Sequence, residues 1–242
     1  MQTQTNPAAG ADHSGTMTPT VPALSVSPIE RRLMQRIFDL CRDAIRQACA
    51  SSSLPPEFLA ALAANESGGR ADAARFEPSV YRELEAVARG ASGAFGSIDA
   101  VSLGAEVTDL AAPGDAQLHA RYLTPAFAAN HYEEITALSD EALRQLSCSW
   151  GYTQIMGYHM IGHPGTVRDL LNPDVHFRLA VQLLSEFAAD YHLDLASEFS
   201  ELFSCWNTGR PYGKTFDPHY VENGLRRMQI YRQLPSLVPA AD

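Results

Sequence analysis

The residues that follow Ser27 repeat their apolar side chains in steps of three and four, not two. In IERRLMQRIFDLCRDAIRQAC, the side chains of Ile29, Leu33, Ile37, Cys41, Ile45 and Ala48 fall near one face of a helix, with charged residues on the other. Ser27, Pro28 and Glu30 give this helix a capping-box start with proline in its first turn. The stretch SLPPEFLAALAANESGG predicts a second helix that begins at Pro56 and is stopped by Gly68–Gly69. Glu66 lies in its last turn, behind strong helix formers that hold it rigidly. RFEPSVYRELEAVARG predicts a short third helix, broken by GASGAFG. Ser139 is placed to cap DEALRQL and Thr166 to cap VRDLL. Asp174 is expected to start a long helix with Phe177, Leu184, Phe187 and Tyr191 turned inward. LASEFSELFSCW predicts another, and YVENGLRRMQIYRQL a last one that Gly224 interrupts without ending. No run of alternating β-branched residues supports a large sheet. The expectation is a mostly α domain with a groove and, at most, a very small β hairpin.

A chain of 242 residues supports one generous core plus an arm. The Pro, Thr, Gly and Ser content of residues 1–26 predicts a disordered leader, followed by a single domain over 27–235 and a tail over 236–242. Residues 93–120, rich in Gly, Ala, Ser and Asp, read as a loop or lid inserted over the groove. The N-terminus has no basic start and no long apolar run, so no secretory signal is expected, and no stretch reaches the length of a membrane span. The expectation is synthesis in the cytoplasm, with delivery to the periplasm or cell wall by another route. Eighteen basic residues stand against 28 acidic ones, a net charge of −10. That balance argues against nucleic acid and against an anionic membrane surface as partners. The surplus is local, because residues 66–141 hold thirteen acids and five bases. Cys41, Cys49, Cys148 and Cys205 have no CxxC spacing for zinc, and they stand either as buried free thiols or with at least one disulfide. His159 and His163 lack an HExxH setting, so no metal and no other cofactor is expected.

Three segments differ from their surroundings: NESGG at 65–69, SCSWGYTQIMGY at 147–158 and SCWNTGRPYG at 204–213. Both tryptophans, Trp150 and Trp206, fall inside them. Aromatic faces beside amides and a carboxyl group suit sugar binding, and they equally suit a packed core. In these segments the chain resembles the lysozyme-like superfamily of peptidoglycan-cleaving enzymes, in its soluble lytic transglycosylase and goose-type lysozyme branch. It is also similar to the phage-endolysin N-acetylmuramidases. Glu66–Ser67 matches the Glu-Ser pair at the end of that family's catalytic helix. SWGYTQIM, Ser149 to Met156, matches its Gly-x-x-Gln-hydrophobic-Met motif, with Gln154 in place. Trp206-Asn207-Thr208-Gly209 corresponds to its Tyr-Asn-x-Gly motif, and Tyr220-Val221 with Tyr231 resembles its closing segment. RFEPSVYREL, around Glu77, is nearest the endolysin pattern. The likeness spans roughly residues 55–235. It departs from the transglycosylase pattern in the roughly 80 residues that separate Ser67 from Ser149.

The resemblance implies cleavage of the β-1,4 bond between N-acetylmuramic acid and N-acetylglucosamine, with peptidoglycan glycan strands as the partner. Such cleavage needs a carboxylic acid that keeps its proton near neutrality, a property that burial confers. Glu66 is expected to fill that role, with Trp150 and Trp206 as candidate walls. In lytic transglycosylation Glu66 then serves as base while the muramyl 6-hydroxyl closes a 1,6-anhydro ring, and no second carboxylate is needed. In the alternative, a hydrolytic muramidase, a second carboxylate orients water; Glu77 is the first candidate, with Glu106 and Asp109 behind it. Glu77 reads equally well as an ion-pair partner of Arg75. By the same resemblance Gln154 and Asn207 line sugar subsites, Asn207 or Tyr220 lies near the N-acetyl group, and Ser67 binds substrate or holds Glu66. Met156 reads as core, and Gly151, Gly157 and Gly209 as tight turns. A non-catalytic peptidoglycan-binding protein and a helical scaffold remain as readings from other classes.

Overall fold

Seven consecutive residues of one short helix, Phe58 to Ala64, are buried, and the other elements are arranged around them. A helix that is apolar on every side must be covered on every side, and its alanines let neighbouring backbones come close. In a computed structural model of the chain, residues 27–103 and 141–234 are described. The helices are α1 (Pro28–Cys49), α2 (Pro56–Glu66), α3 (Pro78–Ala88), α4 (Glu141–Leu146), α5 (Pro173–Tyr191), α6 (Phe199–Thr208) and α7 (Tyr220–Gln233). Short strands interleave with them: β1 (Ala74–Phe76), β2 (Ala94–Phe95), β3 (Ile98–Asp99), β4 (Cys148–Trp150) and β5 (Ile155–Met156). Two 3₁₀ turns, Gly157–Met160 and Val167–Leu171, follow β5. The result is a mostly helical domain with small antiparallel elements. No helix among the described residues is long and apolar enough to cross a membrane.

α2 is the buried helix; α1 and α7 pack against it, and α5 packs on α1. Phe58 stacks on Phe203 of α6 with ring centroids 4.3 Å apart. Gly224 leaves α7 intact, because its absent side chain makes room for that same ring: a Cβ there would stand 2.6 Å from Phe203 Cζ. The inward face of α1 is wider than a single stripe. Ile37, Cys41 and Ile45 are buried as expected, joined by Met34, Ala44 and Cys49, while Ile29 is 70% exposed. α1 has to meet both α2 and α5, and Ile29 sits in its first turn, away from that contact. Ser27 does cap α1, its hydroxyl accepting from the Ile29 amide at 3.3 Å, while Glu30 turns to Arg226. Thr166 and Asp169 form a reciprocal capping box at the second 3₁₀ turn. α5 begins one residue earlier than expected, after Asn172, whose side chain accepts from the Asp174 amide at 2.9 Å. Phe177 and Leu184 are fully buried, whereas Tyr191 is 40% exposed, its hydroxyl donating to the Gly209 carbonyl at the end of α6.

The β content exceeds a single hairpin. β1, β4 and β5 form an antiparallel sheet in that order, and β2 and β3 form a separate hairpin. Opposed residues of an antiparallel pair share a face, so the register sorts the motif residues. Ala74, Trp150 and Ile155 form one row, facing the core; Arg75, Ser149 and Met156 form the other. All four cysteines are buried free thiols. Ser139, Glu106, Asp109 and the rest of the 104–140 part of the acidic 66–141 block lie outside the described residues, as do the leader and the tail.

Candidate active site

Glu66 ends the buried helix, half-buried itself, and the hydroxyl of Tyr220 at the start of α7 donates to its Oε1. Burial pushes the Glu66 carboxyl up to about 7, against the Tyr220 hydrogen bond and the positive charge of Arg75, which favour its ionised form. Burial and the neighbouring Glu66 charge raise the Tyr220 phenol well above its usual range, so Tyr220 keeps its proton and is the donor of the pair. A carboxyl that is close to half-protonated at neutral pH serves either as acid or as base.

Ser67 does not point a free hydroxyl into a cleft. Its Oγ donates to the Tyr152 carbonyl at 2.7 Å and accepts from the Arg70 amide at 3.0 Å. It therefore holds the end of α2 against the turn between β4 and β5. Gly151 and Gln154 in that turn both have left-handed backbone, φ +69° and +56°. Glycine is required at 151, where a Cβ would approach the Leu170 carbonyl oxygen to 2.6 Å. Gln154 is not glycine, and its side chain secures the strained turn: Oε1 accepts from Ser149 Oγ at 2.9 Å and Nε2 donates to the Gly151 carbonyl at 2.9 Å. Thr153 between them is held from two further helices. Its amide donates to His176 Nε2 at 2.9 Å, and its carbonyl accepts from the Trp206 indole at 2.9 Å. His176 Nδ1 lies 2.9 Å from the Leu170 carbonyl, which fixes the Nδ1–H tautomer. Burial pulls the pKa of this imidazole down to about 4, so it stays neutral.

Trp150 and Trp206 take different roles. Trp150 is 1% exposed, with its indole donating to the Gln145 carbonyl at 2.9 Å. It is a core residue and not a cleft wall, because the pleat of β4 turns it away from Ser149. Trp206 is half-buried and lines a cavity of about 310 Å³ with Gln154, Met156, Tyr158 and Phe187. A second cavity of about 710 Å³ runs from there toward the β2–β3 hairpin, sharing Tyr158, His159 and Glu186. Met156 thus faces open space, on the same side of the sheet as Ser149, and is not core. Neither Glu66 nor Glu77 lines these two cavities; the β4–β5 turn connects them to Glu66 through Ser67. Asn207 is exposed on the last turn of α6 and lines neither cavity.

Glu77 precedes α3, its carboxylate 27% exposed and 3.1 Å from Arg75 Nε. Burial raises its pKa and Arg75 lowers it. The charge of Arg75 therefore acts on both candidate carboxylates, Glu66 and Glu77. The structure thus gathers Glu66, Tyr220, Ser67 and Gln154 around one turn, ties Glu77 to them through Arg75, and buries Trp150 in the core. Sequence reasoning overlooked Ser149 as the partner of Gln154, and Asn65, whose amide reaches α7. No local pattern carries the signal for either residue. Compared with protein-family models, curated proteins and solved structures, the chain matches none.

Proposed function

We propose that this protein cleaves the β-1,4 bond between N-acetylmuramic acid and N-acetylglucosamine in peptidoglycan, on a helical domain of the lysozyme-like, goose-type or lytic-transglycosylase kind. The observation that carries the reading is Glu66: a carboxyl at the end of a buried helix, raised to about 7 and hydrogen-bonded by Tyr220. Glu66 donates its proton to the leaving glycosidic oxygen as positive charge grows on the muramyl ring. Tyr220 then stabilises the carboxylate that results, so the pair is ready for the return step. With the muramyl N-acetyl group attacking its own anomeric carbon, Glu66 takes the proton of the 6-hydroxyl and the ring closes to a 1,6-anhydro end. Trp206, Tyr158 and Gln154 supply two aromatic rings and an amide for further sugars along the cavity.

Arg75 favours a second version. Its charge spans Glu66 and Glu77, which suits a hydrolytic muramidase in which Glu77 orients water; an inverting pair of carboxyls stands roughly 6.5–9.5 Å apart. Mass spectrometry of products from purified cell-wall glycan separates the two: anhydro-muramyl ends indicate transglycosylation, reducing muramyl ends hydrolysis. Glu66→Gln is expected to abolish either product, and Glu77→Gln to be severe only for hydrolysis. Full activity in Glu66→Gln overturns the assignment. Tight glycan binding with no product from the unaltered protein indicates a non-catalytic peptidoglycan-binding protein instead.

A further inference from the structure

Behind the Glu66–Tyr220 pair lies a polar network that no step of the cleavage uses. Asn65 spans the gap between α2 and α7 with both ends of its amide. Its Nδ2 donates to the Tyr220 carbonyl at 2.9 Å, and its Oδ1 accepts from Arg227 Nη1 at 2.5 Å. Tyr220 and Arg227 are about two helical turns apart and share a face of α7. The amide is therefore a strut that fixes the start of α7 against the end of α2. Arg227 is in turn aligned from α1: its side chain is 17% exposed and its Nε lies 3.5 Å from Glu30 Oε1. Glu30 also accepts from Arg226, Nε to Oε2 at 3.0 Å and Nη2 to Oε1 at 2.7 Å. Desolvation offsets most of the Coulomb gain of such a half-buried cluster, so it is a poor source of net stability. Its definite effect is geometric, on the amide of Asn65.

We propose that Arg227, aligned by Glu30, is a positioning residue for Glu66: by locking the Asn65 amide it fixes the Tyr220 hydroxyl on the Glu66 carboxylate. The catalytic meaning of this rests on the proposed cleavage; the geometric claim does not. Glu66 is faced by Tyr220 from α7 and by Arg75 from β1, with Arg36 of α1 and Arg70 bonded to the next carbonyls, those of Gly68 and Ser67. Arg227 is faced by Glu30, Arg226 and Asp217.

The test is a ¹³C-carboxyl NMR titration of the full chain, with the Glu66 signal identified by its loss in Glu66→Gln. Tyr220→Phe removes the donor and raises the Glu66 midpoint. Arg227→Met is expected to raise it comparably, by about 0.5–1 pH unit, and the double variant to go no further than Tyr220→Phe alone. Arg227→Lys keeps the charge without the planar fork and is expected to recover only part of the shift. An unchanged midpoint in Arg227→Met overturns the proposal. Additive shifts in the double variant, or full recovery by lysine, overturn it too, since either outcome means that Arg227 acts by charge alone. If Arg227→Met does not fold, Asn65→Ala supplies the same measurement from the other end of the strut. On glycan, these variants are expected to lower kcat with KM little changed. Failure of the unaltered protein to cleave glycan overturns the proposed function and leaves the titration result standing.

Discussion

The Glu66 carboxyl makes folding pH-dependent in a direction opposite to that of most acidic residues. In the unfolded chain it titrates at its ordinary 4.5, and in the folded protein at about 7. The folded state therefore binds this proton more tightly. Below pH 4.5 both states are protonated and the group costs nothing. As the pH rises through 7 the folded protein must carry a buried carboxylate, and stability is lost. A shift of this size corresponds to about 3 kcal/mol, at 1.36 kcal/mol per pH unit. Glu66→Gln keeps the shape and an acceptor for the Tyr220 hydroxyl, but has no proton to lose. Relative to the parent, the variant is thus expected to gain about 3 kcal/mol between pH 4 and pH 8.5, on top of any constant difference between acid and amide. Urea unfolding at closely spaced pH values measures this directly, with equal m-values as the check that only stability changed. A stability difference that stays flat across that range refutes the reasoning: Glu66 would then titrate as an ordinary surface carboxylate and lose its claim to be an acid at neutral pH.

Two further outcomes follow from packing. Gly224→Ala improves helix propensity, yet its Cβ meets the fully buried Phe203 ring at 2.6–2.8 Å; a net loss of about 1–3 kcal/mol is expected from the urea midpoint. The two tryptophans are expected to separate cleanly: Trp150→Phe orphans the Gln145 carbonyl and costs about 1–3 kcal/mol of stability with glycan affinity unchanged. Trp206→Ala is expected to weaken glycan binding by about 1 kcal/mol, roughly fivefold. Binding isotherms for both variants check this, and a larger affinity loss at Trp150 contradicts the placement of the two rings.

The helices were largely legible because their signals are local. Pro56 and the Gly68–Gly69 pair bound α2 as expected, and Thr166 with Asp169 caps its 3₁₀ turn. The errors fall where a side chain answers to a distant partner. Ile29 has the right period but lies beyond the reach of α2 and α5, and Tyr191 leaves the core to bond the end of α6. The three-stranded sheet was missed because its strands are two or three residues long, too short for alternation to register, and because β1 and β4 are some 74 residues apart in the chain.

For the candidate site, the residues themselves determined that Glu66 would end a rigid helix, that Gln154 would sit in a glycine-bounded segment, and that Tyr220 would open a helix. These depend on capping, propensity and backbone freedom, all of which act over a few positions. Only the tertiary structure decided that Trp150 is core and Trp206 a wall, that Ser67 is a tie and not a free hydroxyl, and that Glu66 titrates near 7. It also decided that Arg75 faces both carboxylates and that Asn65 braces Tyr220. The reason is physical: strand register, burial and the approach of α7 to α2 set electrostatics and hydrogen bonding across 80 to 160 residues of chain, a span over which a one-dimensional pattern carries no distance.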